Sequence, residues 1–276
     1  MSDASLSSAV VRQGRPRRPP PSAFGIGVGV VVIVLTILTT WNWKYGTGFS
    51  PAEVLRKLRN RNPVVSAIAH TEFSQVFSPR SRNAFVETLR LAVLGSVSGI
   101  VVALPLALWS TRFGAPNRLV LIVVRAVCNV IRAFPDILWA VLFVAAVGIG
   151  ALPGLLALFL FSIAVVTKLT ADTLDGIDMG PIEAAHASGA RHSQMLRTAV
   201  VPQILPAYAS YSLYAFELNL RASVVLGLVG AGGIGQRIEF FRNQPAWEKV
   251  WGLVVMFVIV VFIVDRLSTL LRRRLV

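Results

Sequence analysis

The sequence is short of acid. Asp and Glu together number 13 against 27 Lys and Arg, and the four charged types make up only 14% of 276 residues. Soluble domains carry about 25% charged residues, so a chain that is 55% hydrophobic has too little polar surface to cover its core in water. The single cysteine, Cys128, excludes an intrachain disulfide and a cysteine metal cluster. Three histidines, His70, His186 and His192, lie in polar segments without metal-ligand spacing, so no metal site is expected. No Gly-x-x-x-x-Gly-Lys-Ser/Thr phosphate loop occurs, which excludes ATP hydrolysis by that motif. Neither a sustained strand alternation nor an internal repeat is present.

The shortage of acid leaves a net charge of +14. In a soluble protein that charge would point to nucleic acid. Here the basic residues sit at the chain ends and between apolar runs, where Lys and Arg anchor membrane helices and pair with anionic lipid. Membrane lipid, and no nucleic acid, is the expected partner.

What the chain does have is long apolar runs, and a helix needs about 20 such residues to cross the hydrocarbon. Residues 1–22, rich in Ser, Pro and Arg, read as a disordered cytoplasmic tail. Residues 23–43 read as a first membrane helix closed by Trp41 and Trp43, and 44–83 as an extracytoplasmic connection. Residues 84–270 form a five-helix core, with a polar loop at 172–203, followed by a basic cytoplasmic tail at 271–276. The run Leu119 to Ile149 is too long for one simple span, and Pro135 breaks it. The expectation is an all-α, multi-pass protein of six transmembrane helices in the cytoplasmic (inner) membrane, with both termini in the cytoplasm.

The polar loop carries the sharpest pattern. Pro181 suits the first turn of a helix, and Glu183 in that turn meets the positive end of the helix dipole. Ala184, Ala185 and Ala187 leave little side-chain bulk, so another surface can approach closely. Gly189 can end the helix in a left-handed conformation, a second short helix can run from Arg191 to Val200, and Pro202 opens the next span. This segment resembles the EAA loop of ABC importer permeases: Glu-Ala-Ala, then Gly, then Pro at the family's spacing, with Ala199 and Val201 in place of larger apolar residues. The resemblance implies the type I (MetI-like) permease fold. It also implies that Glu183, Ala184, Ala185, Gly189 and Pro202 couple the chain to a cytoplasmic ATPase. By the same resemblance the chain is a translocation subunit and not an enzyme. It would form a homodimer served by an ABC ATPase dimer, which binds ATP and Mg, and by an extracytoplasmic substrate-binding protein. No cofactor is expected in the chain itself.

The likeness extends from about Glu87 to the C-terminus. Arg132-Ala-Phe-Pro135-Asp136-Ile-Leu-Trp139-Ala140 is similar to a further family segment. Tyr211-Ser212-Leu-Tyr214 with Glu217, Asn219 and Arg221, and the glycines Gly230, Gly232, Gly233 and Gly235, resemble the phosphonate branch. The implied cargo is phosphonate or a related phosphorus oxyanion, phosphate or phosphite. A permease for another small solute such as methionine is the alternative, and a secondary transporter or membrane enzyme a remote one.

The glycine segment also fits the dinucleotide fingerprint Gly-x-Gly-x-x-Gly, but that fingerprint has meaning only between a strand and a helix. Close backbone packing at the outer end of the fifth span is the better account. Ionisable residues within spans are costly and suggest function. Glu217 and Arg221 are four apart and share a helix face. Two readings stand. Glu217 with Arg221, and Arg132 with Asp136, are neutralised pairs that hold helices together; or Arg132, Tyr211, Ser212, Tyr214, Glu217, Asn219, Arg221 and Ser223 line a route for an oxyanion. Arg125 and Arg132, seven apart, also share one face.

Overall fold

The computed structural model describes residues 23–41, 55–56 and 63–275, all of whose regular structure is helical. The expected tail at 1–22, residue Trp43, and nearly all of the connection before residue 63 lie outside the described residues. The chain divides into two units, 1–62 and 63–276. The first contains α1 (Ala23–Trp41), a 19-residue helix whose described side chains run from Gly27 to Leu38.

In the second unit, α2 (Pro63–Ala69) is short. It is tied to the last helix, because the Trp251 indole N–H donates to the Val64 carbonyl at 2.9 Å. Next comes α3 (Pro79–Trp109), which starts with Ser78 as N-cap, its hydroxyl accepting from the Ser81 N–H at 3.3 Å. The sequence reading ends the connection at 83; the helix begins earlier because Ser78-Pro79 is a capping pair outside the apolar run. A stripe of small residues on α3 (Ala92, Gly95, Ser96, Gly99, Ala103, Ala107) is buried. It packs on α6 (Ala151–Leu174), the helix at the centre of the unit. A side chain on Gly99 would stand 2.4 Å from the Ser162 Cβ, and one on Gly95 2.7 Å from the Leu158 Cβ. Two helices meet this closely only where one lacks side chains, the usual device inside membranes.

Between them lie α4 (Arg118–Ala133) and α5 (Asp136–Val147), bent by 90° at Phe134-Pro135. Phe134 is extended, as the residue before a proline prefers to be. After α6 come α7 (Gly180–Ala187) and α8 (His192–Met195), then one π turn at Leu196–Val200 leading into α9 (Val201–Leu228). The last two helices are α10 (Gly233–Arg242) and α11 (Trp247–Leu275). The basic residues at 272–274 continue α11 as helix.

Four described segments are long and apolar enough to cross a membrane: 79–109, 151–174, the α8–α10 stretch and 247–274. The bent pair α4–α5 makes up to five. The expected six is not reached among these residues, because the described part of α1, Gly27–Leu38, is shorter than a span. Val97 and Val101 on α3, and Val258, Phe262 and Ile263 on α11, are exposed, the surface that suits lipid.

Candidate functional site

The α7–α8 hairpin forms one end of the unit. Pro181 and Glu183 occupy the first turn of α7, and Gly189 turns the chain with φ +73°. Glycine adopts that left-handed angle without the steric cost that a Cβ brings. Ile182, Met195, Ala199 and Val200 are buried in one cluster with Ala107 of α3, Leu174 of α6 and Ile204 of α9. The hairpin is thereby fixed to three long helices at once. Its outer surface is left to Glu183, Ala184, Ala187 and Gly189, all exposed, with Ala185 half-buried.

Sequence reasoning expects an α-helix up to Val200 and a boundary at Pro202. Instead the π turn carries the chain into α9 without a break, the Val201 N–H donating to the Leu196 carbonyl. Pro202 has no N–H to give, and the wider turn accommodates that gap. The Gln203 side chain then donates to the Ala199 carbonyl at 2.7 Å and to the Asp178 carbonyl at 3.3 Å, tying the turn back to the start of the hairpin.

The polar residues of α9 divide. Asn219 is fully buried and donates to the Ser162 hydroxyl at 2.6 Å and the Ser96 hydroxyl at 2.8 Å, joining α9, α6 and α3. Ser223 is buried and donates to the Leu220 carbonyl. Tyr211 and Thr173 share a hydrogen bond of 2.8 Å, and Ser212 donates to the Tyr208 carbonyl. Tyr214 and Arg221 are exposed.

Neither expected ion pair forms. Glu217 accepts from Arg272 of α11, and Arg221 makes two bonds to Asp265, at 2.7 and 2.8 Å. Residues four apart on a helix can meet, but two carboxylate–guanidinium pairs across antiparallel helices hold α9 to α11, and the tertiary partners win. Arg132 likewise donates to Asn129 at 2.5 Å, while Asp136 accepts from the Ile137 N–H at the start of α5. The 90° bend at Pro135 stops the helix across which that pair was to form.

A basic open surface lies on α4. Arg118, Arg125 and Arg132 repeat every seven residues, so they share a face about 21 Å long. Three cavities of about 560, 200 and 430 Å³ follow that face. Arg118 and Arg125 line the first, Arg125 and Arg132 the second, and Arg132 the third. Arg125 also donates to the Ser110 carbonyl at 2.6 Å and lies 3.8 Å from Asp175. In the second cavity Lys168 pairs with Asp172. Sequence reasoning missed Arg118, whose spacing from Arg125 repeats the one already noticed. It also missed Asp265, an acid inside the last apolar run.

At the other end of the unit, the glycines make a backbone junction. A side chain on Gly235 would stand 2.0 Å from the Val224 carbonyl oxygen, and one on Gly154 2.8 Å from that of Ala231. Gly230, Gly232 and Gly233 have φ of 95°, 84° and 69°. Here α6, α9 and α10 meet with backbone against backbone. Among the described residues no strand adjoins the fingerprint, as a dinucleotide site requires.

Residues 99–276 match the family described as binding-protein-dependent transport system inner membrane component. The chain belongs to that family. The permease is therefore a membrane-embedded transport component and not an enzyme. It is 39% identical over 188 residues to the phosphite transport system permease protein PtxC of Stutzerimonas stutzeri, an alignment covering 68% of each chain. It is 42% identical over 188 residues to the phosphate-import permease protein PhnE of Mycolicibacterium smegmatis, covering 68% of this permease but only 35% of that protein. Its fold is similar to a chain of the MetNI methionine ABC transporter in inward-facing crystals, with a TM-score of 0.61 and 24% identity, over 71% of this chain and 96% of the other.

Proposed function

We propose that the permease forms the translocation pathway of an ATP-driven importer for phosphonate, phosphate or phosphite. Two copies enclose one route by alternating access, with both termini in the cytoplasm and a binding protein delivering cargo at the outer face. The ATPase dimer, holding ATP and Mg, docks on the α7–α8 hairpin. The observation that carries this reading is the seating of the hairpin on α3, α6 and α9 together. A load applied to its exposed surface reaches three spans through close-packed side chains, which transmit displacement because interiors are dense. The small residues at 184, 185, 187 and 189 leave room for a partner's cleft.

The cargo class is supported by the relatives named for phosphite and phosphate import. It also agrees with guanidinium chemistry, which matches oxyanions through paired hydrogen bonds. The route follows the arginine face of α4, with Tyr214 and Arg221 of α9 as further exposed groups. Glu217 and Asn219 hold the helices that form it.

Glu183→Ala and Gly189→Asp test the docking. Each is expected to lose most copurifying ATPase and ligand-stimulated hydrolysis while the permease still runs as a folded species in size-exclusion chromatography. Unchanged copurification and hydrolysis in both variants defeats the assignment.

A further inference from the structure

A further basic site lies at the end of the unit away from the hairpin, at the start of α3, whose 31 residues span roughly 46 Å. The first three turns of α3 and the facing side of α10 border an open depression of about 460 Å³, lined by Arg80, Asn83, Glu87, Gln236, Arg237 and Phe240. Several of its features work against folding alone. Arg80 stands in the first turn of α3, where the positive helix end disfavours a cation. Arg237 lies over the Phe240 and Phe241 rings at 4.9 and 4.6 Å, and its Nε is buried without a hydrogen-bond partner. Among the described residues neither arginine makes an ion pair, although Glu87 shares the cavity. Gly232, at φ +84°, leaves space for that carboxylate: a side chain there would stand 2.7 Å from Glu87 Oε1.

We infer that this cavity is a receiving site for a tetrahedral phosphorus oxyanion that still carries an acidic proton. Two guanidiniums and the Asn83 and Gln236 amides supply donors for unprotonated oxygens. Glu87, when ionised, only accepts, so it requires an O–H on the ligand. Hydrogen phosphite, phosphate and phosphonate present both kinds of oxygen. Sulfate and the phosphodiester of a lipid present acceptors alone and have no proton to offset the repulsion between their charge and that of Glu87. The site thus selects on the proton, and it lies where cargo would first reach the chain. That placement rests on the orientation proposed above.

The test uses the permease copurified with its ATPase in neutral detergent, with inorganic phosphite as probe and its phosphorus resonance as readout. Wild type is expected to broaden the phosphite line, and excess sulfate or phosphatidylglycerol to leave the broadening in place. Arg80→Gln, on an exposed helix start, and Arg237→Gln should each weaken phosphite binding roughly tenfold, the value of one charge-assisted contact. Glu87→Gln should let sulfate compete. Unchanged binding in an assembled Arg80→Gln variant, or sulfate competing equally with wild type, overturns the inference. Displacement by phosphatidylglycerol overturns it too, and assigns the cavity to a lipid headgroup. Uptake into proteoliposomes separates this from the proposed function. A wild type that binds phosphite at this cavity but imports neither phosphite nor phosphate sinks the import reading and leaves the site standing.

Discussion

Two helices of the permease carry charge through apolar surroundings, and they use it in opposite ways. On α9, Glu217, Asn219 and Ser223 are buried, and Arg221 is bound at both nitrogen–oxygen contacts to Asp265. Glu217, Arg221 and the Asn219 amide nitrogen are committed to neighbouring helices, and Ser223 to the Leu220 carbonyl of α9 itself. On α4, Arg118, Arg125 and Arg132 stay exposed and face cavities; Arg125 meets a carbonyl and one long ion pair, and Arg132 an amide. A polar span is therefore no sign of a pathway by itself. What decides is whether the protein has already supplied the partners.

The comparison predicts large stability effects on α9 and transport effects on α4. The largest loss is expected at Glu217, whose side chain is 9% exposed against Arg272. Glu217→Ala leaves a part-buried guanidinium without its carboxylate, a change that costs about 3 kcal/mol in a desolvated pair. Thermal unfolding of the assembled complex measures it, and Glu217→Ala with Arg272→Ala should be milder than the single change. Equal losses in single and double variants would break the pairing claim.

Asn219→Ala comes next. It removes the donor to two buried serines and opens a small cavity at a three-helix junction, for about 2 kcal/mol. Uptake by the surviving folded fraction should stay near that of wild type. Lost uptake at unchanged melting temperature would return Asn219 to the pathway.

The smallest stability effect belongs to Arg132→Gln. Arg132 is exposed and bound only to Asn129, so stability should change by no more than about 0.5 kcal/mol. Phosphite uptake should nonetheless fall roughly tenfold, as loss of one oxyanion contact implies. A variant that transports normally removes α4 from the route.

Much of this was legible beforehand. The hairpin at 180–200 could be read from Pro181, Glu183 and Gly189, because each has a local reason to stand at its place. The break at Pro135 could be read for the same cause. The close packing of the 230–235 glycines followed from their composition. The partners of Glu217 and Arg221 could not be read. Helical spacing ranks Arg221 as the nearest base to Glu217, yet Asp265 and Arg272 lie 44 and 55 residues on and were brought together only by the antiparallel packing of α9 and α11. The π turn was hidden for a related reason, since Pro202 announces a missing donor but not how the chain absorbs it.

By itself, then, the sequence determined the solvent, the helices and the hairpin at 180–200. Apolar length, proline, glycine and capping act within a few residues, and periodicity carries them on the page. The tertiary structure alone decided which charges are spent and which remain free. An ion pair is chosen by distance in space, and in a bundle of long helices that distance is set by register and crossing, which no local pattern records.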